Sequence, residues 1–354
     1  IIIQLPYTVR TETRRAEAEK RRTDIEMQLK GSTYFFDDAE TTEKITQLSR
    51  DGWTFDVVDS GPIPGAASDI PVILLHGFPE RASCWEDVTP LLNERGLRTV
   101  APDQRGYSPG ARPQSVRDYR IDELVDDVIA LADALDAPRF HLVGHDWGAA
   151  VSYAVATRHP DRVATLTTLA VPHTGAFLRA MPRGQALKSW YMGFFQLPKV
   201  PEKLIAYGAK HGGGAGGRLE MYPGFSERLS REIVDYGALT GGINWYRAMR
   251  FSSIDSLAGG KVRVPTTYLY GDKDRFLSRA GARGCSEFID APYEFVVLPG
   301  VDHWMPQRAP EAIADAVPRG HHVSLPGRHI VNLESADRFN DLLKAFLTPG
   351  AFRE

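Results

Sequence analysis

The chain has 354 residues, with 42 Lys and Arg against 45 Asp and Glu, for a formal charge of −3. This balance excludes the net basic face that nucleic-acid binding requires to displace counterions from phosphates. Hydrophobic residues at 43% and charged residues at 25% fit a globular chain with a sizeable core, built as one large domain with an insertion or as two domains.

Residues 10–31 are dense in Arg, Glu and Lys and read as an exposed helix that touches the main body through Ile25, Met27 and Leu29. Trp53 to Val58 alternates as a strand, and 61–68 is a turn-rich linker. Short apolar strands then follow at Pro71–Leu75, Leu97–Ala101, Phe140–Val143, Val163–Ala170, Thr266–Tyr270 and Tyr293–Leu298. Helical stretches lie between them, such as Ile121–Leu135 with its apolar residues at helical spacing. Strands alternating with helices imply parallel βαβ units in a sheet covered on both faces. The alternation lapses over 175–260, where aromatics, prolines, the loop Gly212–Gly217 and helical pieces such as Arg228–Leu239 replace it. This stretch reads as a helical lid inserted over the sheet. The glycine loop is a connector and not a phosphate cradle, because no Gly-Lys-Ser/Thr follows it. The expected organisation is an extension over 1–43, a core of 44–174 and 261–354, and a lid over 175–260.

No run approaches the ~20 apolar residues that span a bilayer. Ile1-Ile2-Ile3 is too short for the apolar region of a signal peptide. Two cysteines, Cys84 and Cys285, make no disulfide framework and fit a reducing compartment, so a cytoplasmic location is expected.

The most informative segment is Gly144-His145-Asp146-Trp147-Gly148 after a strand and before a helix. It has the form of the small-x-nucleophile-x-small elbow, with Asp at the tip where Ser is usual. Glycines at 144 and 148 avoid a collision across so tight a turn, and the following helix aims free N–H groups at a carboxylate. An Asp at this point could also serve as a plain helix cap. His76-Gly77-Phe78-Pro79-Glu80 follows the first buried strand, and Asp103-Gln104-Arg105-Gly106-Tyr107-Ser108 follows the second.

Together these segments resemble the α/β-hydrolase fold and, within it, the epoxide hydrolases, over roughly residues 45 to 348. The fold implied is a mostly parallel central sheet flanked by helices, with a helical lid. The resemblance implies Asp146 as nucleophile and the N–H groups of Phe78 and Trp147 as the oxyanion hole. Gly271-Asp272-Lys273-Asp274 matches the family's acid segment, giving Asp274 as the acid and Asp272 as a turn residue. Gly300-Val301-Asp302-His303-Trp304 matches its histidine loop, giving His303 as the base. A second segment, Gly327-Arg328-His329, also resembles a histidine loop and precedes an expected final helix over 337–347; the first follows a strand closely behind Asp274 and is preferred. His145 is expected to support the turn. Ser189-Trp190-Tyr191 and Asn244-Trp245-Tyr246-Arg247 resemble the two lid segments that carry the family's tyrosines, giving Tyr191 and Tyr246. His76, Trp190, Phe194, Phe195 and Trp304 are expected around an apolar substrate.

An Asp is ionised at neutral pH and can attack saturated carbon in line without a base. An opening epoxide leaves as an alkoxide and needs a proton, which two phenols can supply. A departing halide needs none. Trp147 is shared with haloalkane dehalogenases, but Phe78-Pro79-Glu80 departs from their Asn-Pro-Thr pattern. Position 147 also lacks the Arg that fluoroacetate dehalogenases place beside the nucleophile. The reaction expected is hydrolysis of an apolar epoxide to a vicinal diol without cofactor or metal, with no membrane or nucleic-acid partner, in a monomer or homodimer. A dehalogenase, or a non-catalytic ligand-binding protein on this fold, are the alternatives.

Overall fold

The computed structural model of the protein describes residues 44–66, 68–211, 221–253, 256–257, 260–317, 322–324 and 330–332. They belong to one compact unit, Thr42–Glu354. The expected extension over 1–43, the glycine loop 212–217, the segment around His329 and the final helix over 337–347 lie outside the described residues.

Eight strands form one sheet: β1 (Gln47–Arg50), β2 (Trp53–Asp59), β3 (Val72–Leu75), β4 (Thr99–Pro102), β5 (Phe140–His145), β6 (Val163–Leu169), β7 (Thr266–Gly271) and β8 (Tyr293–Leu298). Their spatial order is β1-β2-β4-β3-β5-β6-β7-β8. The pairs β1/β2 and β2/β4 are antiparallel and every other pair is parallel. The mostly parallel sheet matches the expectation. β1 is new: the sequence reading began at Trp53. Asp51 and Gly52, both at positive φ, turn β1 into β2, and an Asp-Gly pair is a strong short-range hairpin signal.

Central strands are buried on both faces, and their alternation sorts the core into two layers. Ile73 and Leu75 point into one layer with Val125 and Val151 from the helices α2 (Ile121–Ala134) and α3 (Trp147–Arg158). Val72 and Leu74 point into the other with Val88 and Leu92 of α1 (Val88–Glu94) and Ile313. Covering both faces lets these strands be continuously apolar, which a half-exposed sheet would not allow.

Between β6 and β7 the described chain is helical: α4 (Thr174–Ala180), α5 (Gln185–Lys188), α6 (Trp190–Phe194), α7 (Val200–His211), α8 (Phe225–Arg228) and α9 (Leu239–Ala248). The helix expected over Arg228–Leu239 is interrupted. A π-helical turn over Leu229–Val234 follows α8, Gly237 takes positive φ, and α9 begins at Leu239. After β7 come α10 (Arg279–Gly284), then β8, α11 (Met305–Arg308) and α12 (Pro310–Ala316). His322–Ser324 and Ile330–Asn332 pair as a separate antiparallel ribbon. Both cysteines are buried and free. Among the described residues no helix is long and apolar enough to cross a membrane.

Leu74 is fully buried in the second layer. Leu74→Ala should lower unfolding free energy by about 2–5 kcal/mol through lost transfer and cavity terms. Urea unfolding checks this as a fall in midpoint at unchanged slope.

Candidate active site

The parallel register brings the carboxyl ends of β3, β5, β7 and β8 to one edge of the sheet, where open α/β sheets place their ligands. Asp146 stands at the end of β5 with φ 52° and ψ −118°, a strained conformation for a residue with a side chain. The glycines around it are steric necessities. A Cβ on Gly144 would sit 2.3 Å from the Gly148 carbonyl oxygen, and one on Gly148 would sit 2.0 Å from that of Leu75. A Cβ on Gly77 would meet the Asp146 side chain at 2.4 Å, so the loop after β3 closes on the carboxylate only because that residue is glycine. The Phe78 N–H then donates to Asp146 Oδ1 at 2.9 Å. Trp147 opens α3, and N–H groups in a first helical turn lack intrahelical acceptors.

Asp274 lies after β7 and His303 after β8. His303 Nδ1 donates to Asp274 Oδ2 at 2.8 Å, and its Nε2 is 3.3 Å from Asp146 Oδ2. The other Asp274 oxygen accepts N–H bonds from Phe276 and Leu277 at 2.7 and 2.9 Å. Asp272, the near alternative, instead accepts from the Gly300 N–H at 2.8 Å and shapes the turn.

The charges follow from this geometry. Burial alone would raise the Asp146 carboxyl, but the hydrogen bond and charge of His303 hold it below the usual range, helped by His145 and the Phe78 N–H. Burial disfavours a charged His303, yet the Asp274 carboxylate and then Asp146 raise it to about 10. At neutral pH the resting site is an imidazolium between two carboxylates.

Glu80, which the sequence reading left without a role, is buried behind this centre. Its Oε1 accepts from Gln307 Nε2 at 2.7 Å and from the Tyr222 hydroxyl at 3.3 Å, and its Oε2 is 3.4 Å from His145 Nδ1. His145 Nε2 donates to the His303 carbonyl at 2.8 Å, which ties the elbow to the histidine loop.

The helices between β6 and β7 bring two tyrosines over Asp146. Trp245 Nε1 donates to the Arg105 carbonyl at 2.8 Å and anchors α9 on the loop after β4. Arg247 binds the Phe195 and Leu197 carbonyls and the Glu202 carboxylate, which fixes the turn after α6. Between these anchors, Tyr246 faces inward. Lys188 Nζ donates to the Asp274 carbonyl at 3.0 Å and ties α5 to the acid loop, so that Tyr191 on α6 meets Tyr246 at 6.0 Å between ring centroids. Burial first, and the nearby Asp146 charge second, raise both phenols, which therefore keep their protons at neutral pH.

Asp146, Trp147, Tyr191 and Tyr246 line one cavity. Its remaining wall is largely apolar, with Ile121, Val171, Phe177, Met192, Met249 and Leu277 among its members. The sequence reading missed this wall, whose members come from distant elements. Several expected pocket residues lie elsewhere. Trp190 is 69% exposed and turns to solvent. His76 is fully buried behind the Phe78 loop: its Nδ1 donates to the Gly77 carbonyl and its Nε2 accepts from the Gln104 N–H, so it props that loop. Phe195 packs behind both tyrosines, Phe194 packs beside it, and Trp304 packs behind His303. Among the described residues no group of three or more His, Cys, Asp or Glu side chains is placed to hold a metal ion.

Comparison with known proteins agrees with this architecture. The family model for the alpha/beta hydrolase fold matches residues 70–310. Epoxide hydrolase A of Mycobacterium tuberculosis is 32% identical, with 78% of this chain and 96% of that protein covered. An AB hydrolase superfamily protein of Bacillus subtilis, YfhM, is also 32% identical, covering 68% and 86%. A solved structure described as a novel epoxide hydrolase from metagenomes of hot environments superposes with a TM-score of 0.63 at 30% identity, covering 77% of this chain and 97% of that one.

If His303 holds the Asp146 charge, His303→Gln should raise the Asp146 titration midpoint by about 1–3 pH units, because one opposite charge in contact shifts a carboxylate by that much. Carbon-13 NMR of Asp-labelled protein, with Asp146→Asn to assign the signal, would read it. An unchanged midpoint would separate the two groups electrostatically.

Proposed function

The chain belongs to the α/β-hydrolase family and, within it, to the epoxide hydrolases, and on that premise we propose that it converts apolar epoxides to vicinal diols through an ester on Asp146. The observation that carries this reading is the convergence of one carboxylate and two protonated phenols on a single apolar cavity. Asp146 Oδ1 is engaged by the Phe78 N–H, which leaves Oδ2 as the attacking oxygen. Oδ2 attacks an epoxide carbon, the carbon–oxygen bond of the ring breaks, and the electron pair goes to the ring oxygen. Tyr191 and Tyr246 donate hydrogen bonds to that oxygen as its charge grows. A positioned proton donor of this kind contributes about 10²–10⁴ in rate.

Forming the ester removes the Asp146 charge. His303 then faces only Asp274, so its hold on the extra proton weakens. The alkoxide requires one proton, and His303 must lose one before it can act as a base; the two demands balance. Neutral His303 takes a proton from water, and the hydroxide attacks the ester carbonyl. The oxyanion forms at Oδ1, where the Phe78 and Trp147 N–H groups stabilise it; one such donor is worth about 3–4 kcal/mol. Collapse of this adduct breaks the bond between the carboxyl carbon and the diol oxygen, the proton of the added hydroxyl passes to that departing oxygen, and the diol leaves with Asp146 again a carboxylate and His303 again an imidazolium. Asp274 fixes the tautomer and bears the opposite charge of the imidazolium. In this reading the helices of 175–260 are the lid: they supply the proton donors and close the apolar wall over the nucleophile.

Tyr191→Phe combined with Tyr246→Phe should lower styrene oxide turnover by about 10²–10⁴. The double variant retains Asp146, His303 and Asp274, so it isolates the donors. Wild-type rates in the double variant would refute the donor role. Chloride or bromide release from haloalkanes, with no diol formed from epoxides, would reassign the site to dehalogenation.

A further inference from the structure

The helices between β6 and β7 present a second feature on their outer side. Of the nine large apolar side chains exposed among the described residues, six fall between positions 187 and 207: Leu187, Trp190, Leu197, Val200, Leu204 and Tyr207. With half-buried Phe194, which packs against Trp190, they follow one another at intervals of three or four residues. On α7, Val200, Leu204 and Tyr207 share one face at helical spacing, and Ile205 and Ala209 pack on the opposite side. The helix is therefore apolar on its outer as well as its inner surface. Exposed apolar side chains concentrated in this way on a folded protein mark a contact surface.

Its charge selects the partner. Over 181–211 there are five cationic side chains, Arg183, Lys188, Lys199, Lys203 and Lys210, against one carboxylate, Glu202. Glu202 is bound to Arg247. Lys188 donates to backbone carbonyls, and Lys210 has an exposed partner in Asp235 at 3.5 Å. Lys199 and Lys203 stand exposed beside the apolar row. The stretch is positive in a chain whose total charge is −3. A contact between two copies through this face would bring the same excess of positive charge to both sides, and like charges facing each other disfavour it. An apolar row carrying Trp and Tyr and edged by lysines instead matches the boundary of an anionic bilayer, where aromatics seat at headgroup depth and lysines meet phosphates.

We propose that this outer face of 187–207 docks the protein on anionic lipid surfaces, as a peripheral contact. The proposal does not rest on the catalytic reading, because binding is measured without turnover. The same helices face the cavity through Tyr191 and Met192, so docking would set the site close to apolar molecules dissolved in the bilayer.

Flotation of the full chain with phosphatidylcholine vesicles, with and without about one third phosphatidylglycerol, tests it. The wild type should float with the anionic vesicles, release at high salt and remain free of the neutral ones. Each lysine near such a surface is worth about a fivefold change in partition, so Lys199→Glu with Lys203→Glu should weaken binding at least tenfold. Leu204→Gln with Tyr207→Ser should weaken it as well, with circular dichroism and hydrolysis of a water-soluble epoxide unchanged. The proposal fails if the wild type does not float, if neutral and anionic vesicles bind it equally, or if either double variant binds like wild type. It also fails if sedimentation shows a dimer that Leu204→Gln dissociates, which would assign the face to a second copy.

Discussion

Two buried carboxylates, Asp146 and Asp274, face one imidazole, that of His303. An isolated buried charge is costly, and a pair is tolerated only where geometry and added hydrogen bonds compensate. Here the compensation is built from backbone: Phe78 donates to Asp146, and Phe276 and Leu277 donate to Asp274. The parallel sheet makes this possible, because the three groups arrive on the ends of β5, β7 and β8, each in register with its neighbour. The cost of crowding falls on glycines and on the strained backbone at Asp146.

The arrangement suits the proposed two-stage chemistry, because its charge would be redistributed when Asp146 reacts. A resting imidazolium keeps Asp146 ionised. In the proposed reaction, esterification would remove one of the two carboxylates that hold the proton, and the same histidine would become a base. The phenols above the site have the opposite task. Burial keeps Tyr191 and Tyr246 protonated, which suits them to the donor role proposed for them. Trp245 and Lys188 link the helices that carry these tyrosines to the loop after β4 and to the acid loop, and Arg247 ties α9 to the turn after α6.

What could be read from the chain divides along physical lines. The elbow was legible because its requirements are local: a strand, two small residues around a tip and a helix start. Asp274 and His303 were legible as segments following strands, and the structure separates Asp274 from Asp272 by the partner each accepts. The β1 hairpin was missed although Asp51-Gly52 signals it. The cavity wall was not legible, since Ile121, Val171, Met249 and Leu277 meet only through tertiary packing. Trp190 illustrates the converse: an aromatic residue next to a site residue was expected in the pocket, but successive helical positions point apart, and it faces solvent. Glu80 belonged to a recognised segment, yet its burial against His145 and Gln307 depends on chain more than sixty residues away.

The central claim is that a protein oxygen, and not water, strikes the substrate carbon. A single turnover in ¹⁸O-water with enzyme in excess over styrene oxide decides it. The first diol should carry unlabelled oxygen at the attacked carbon, with the heavy isotope found in the Asp146 carboxylate of the recovered protein. A first diol fully labelled from solvent, with Asp146 unlabelled, would contradict it.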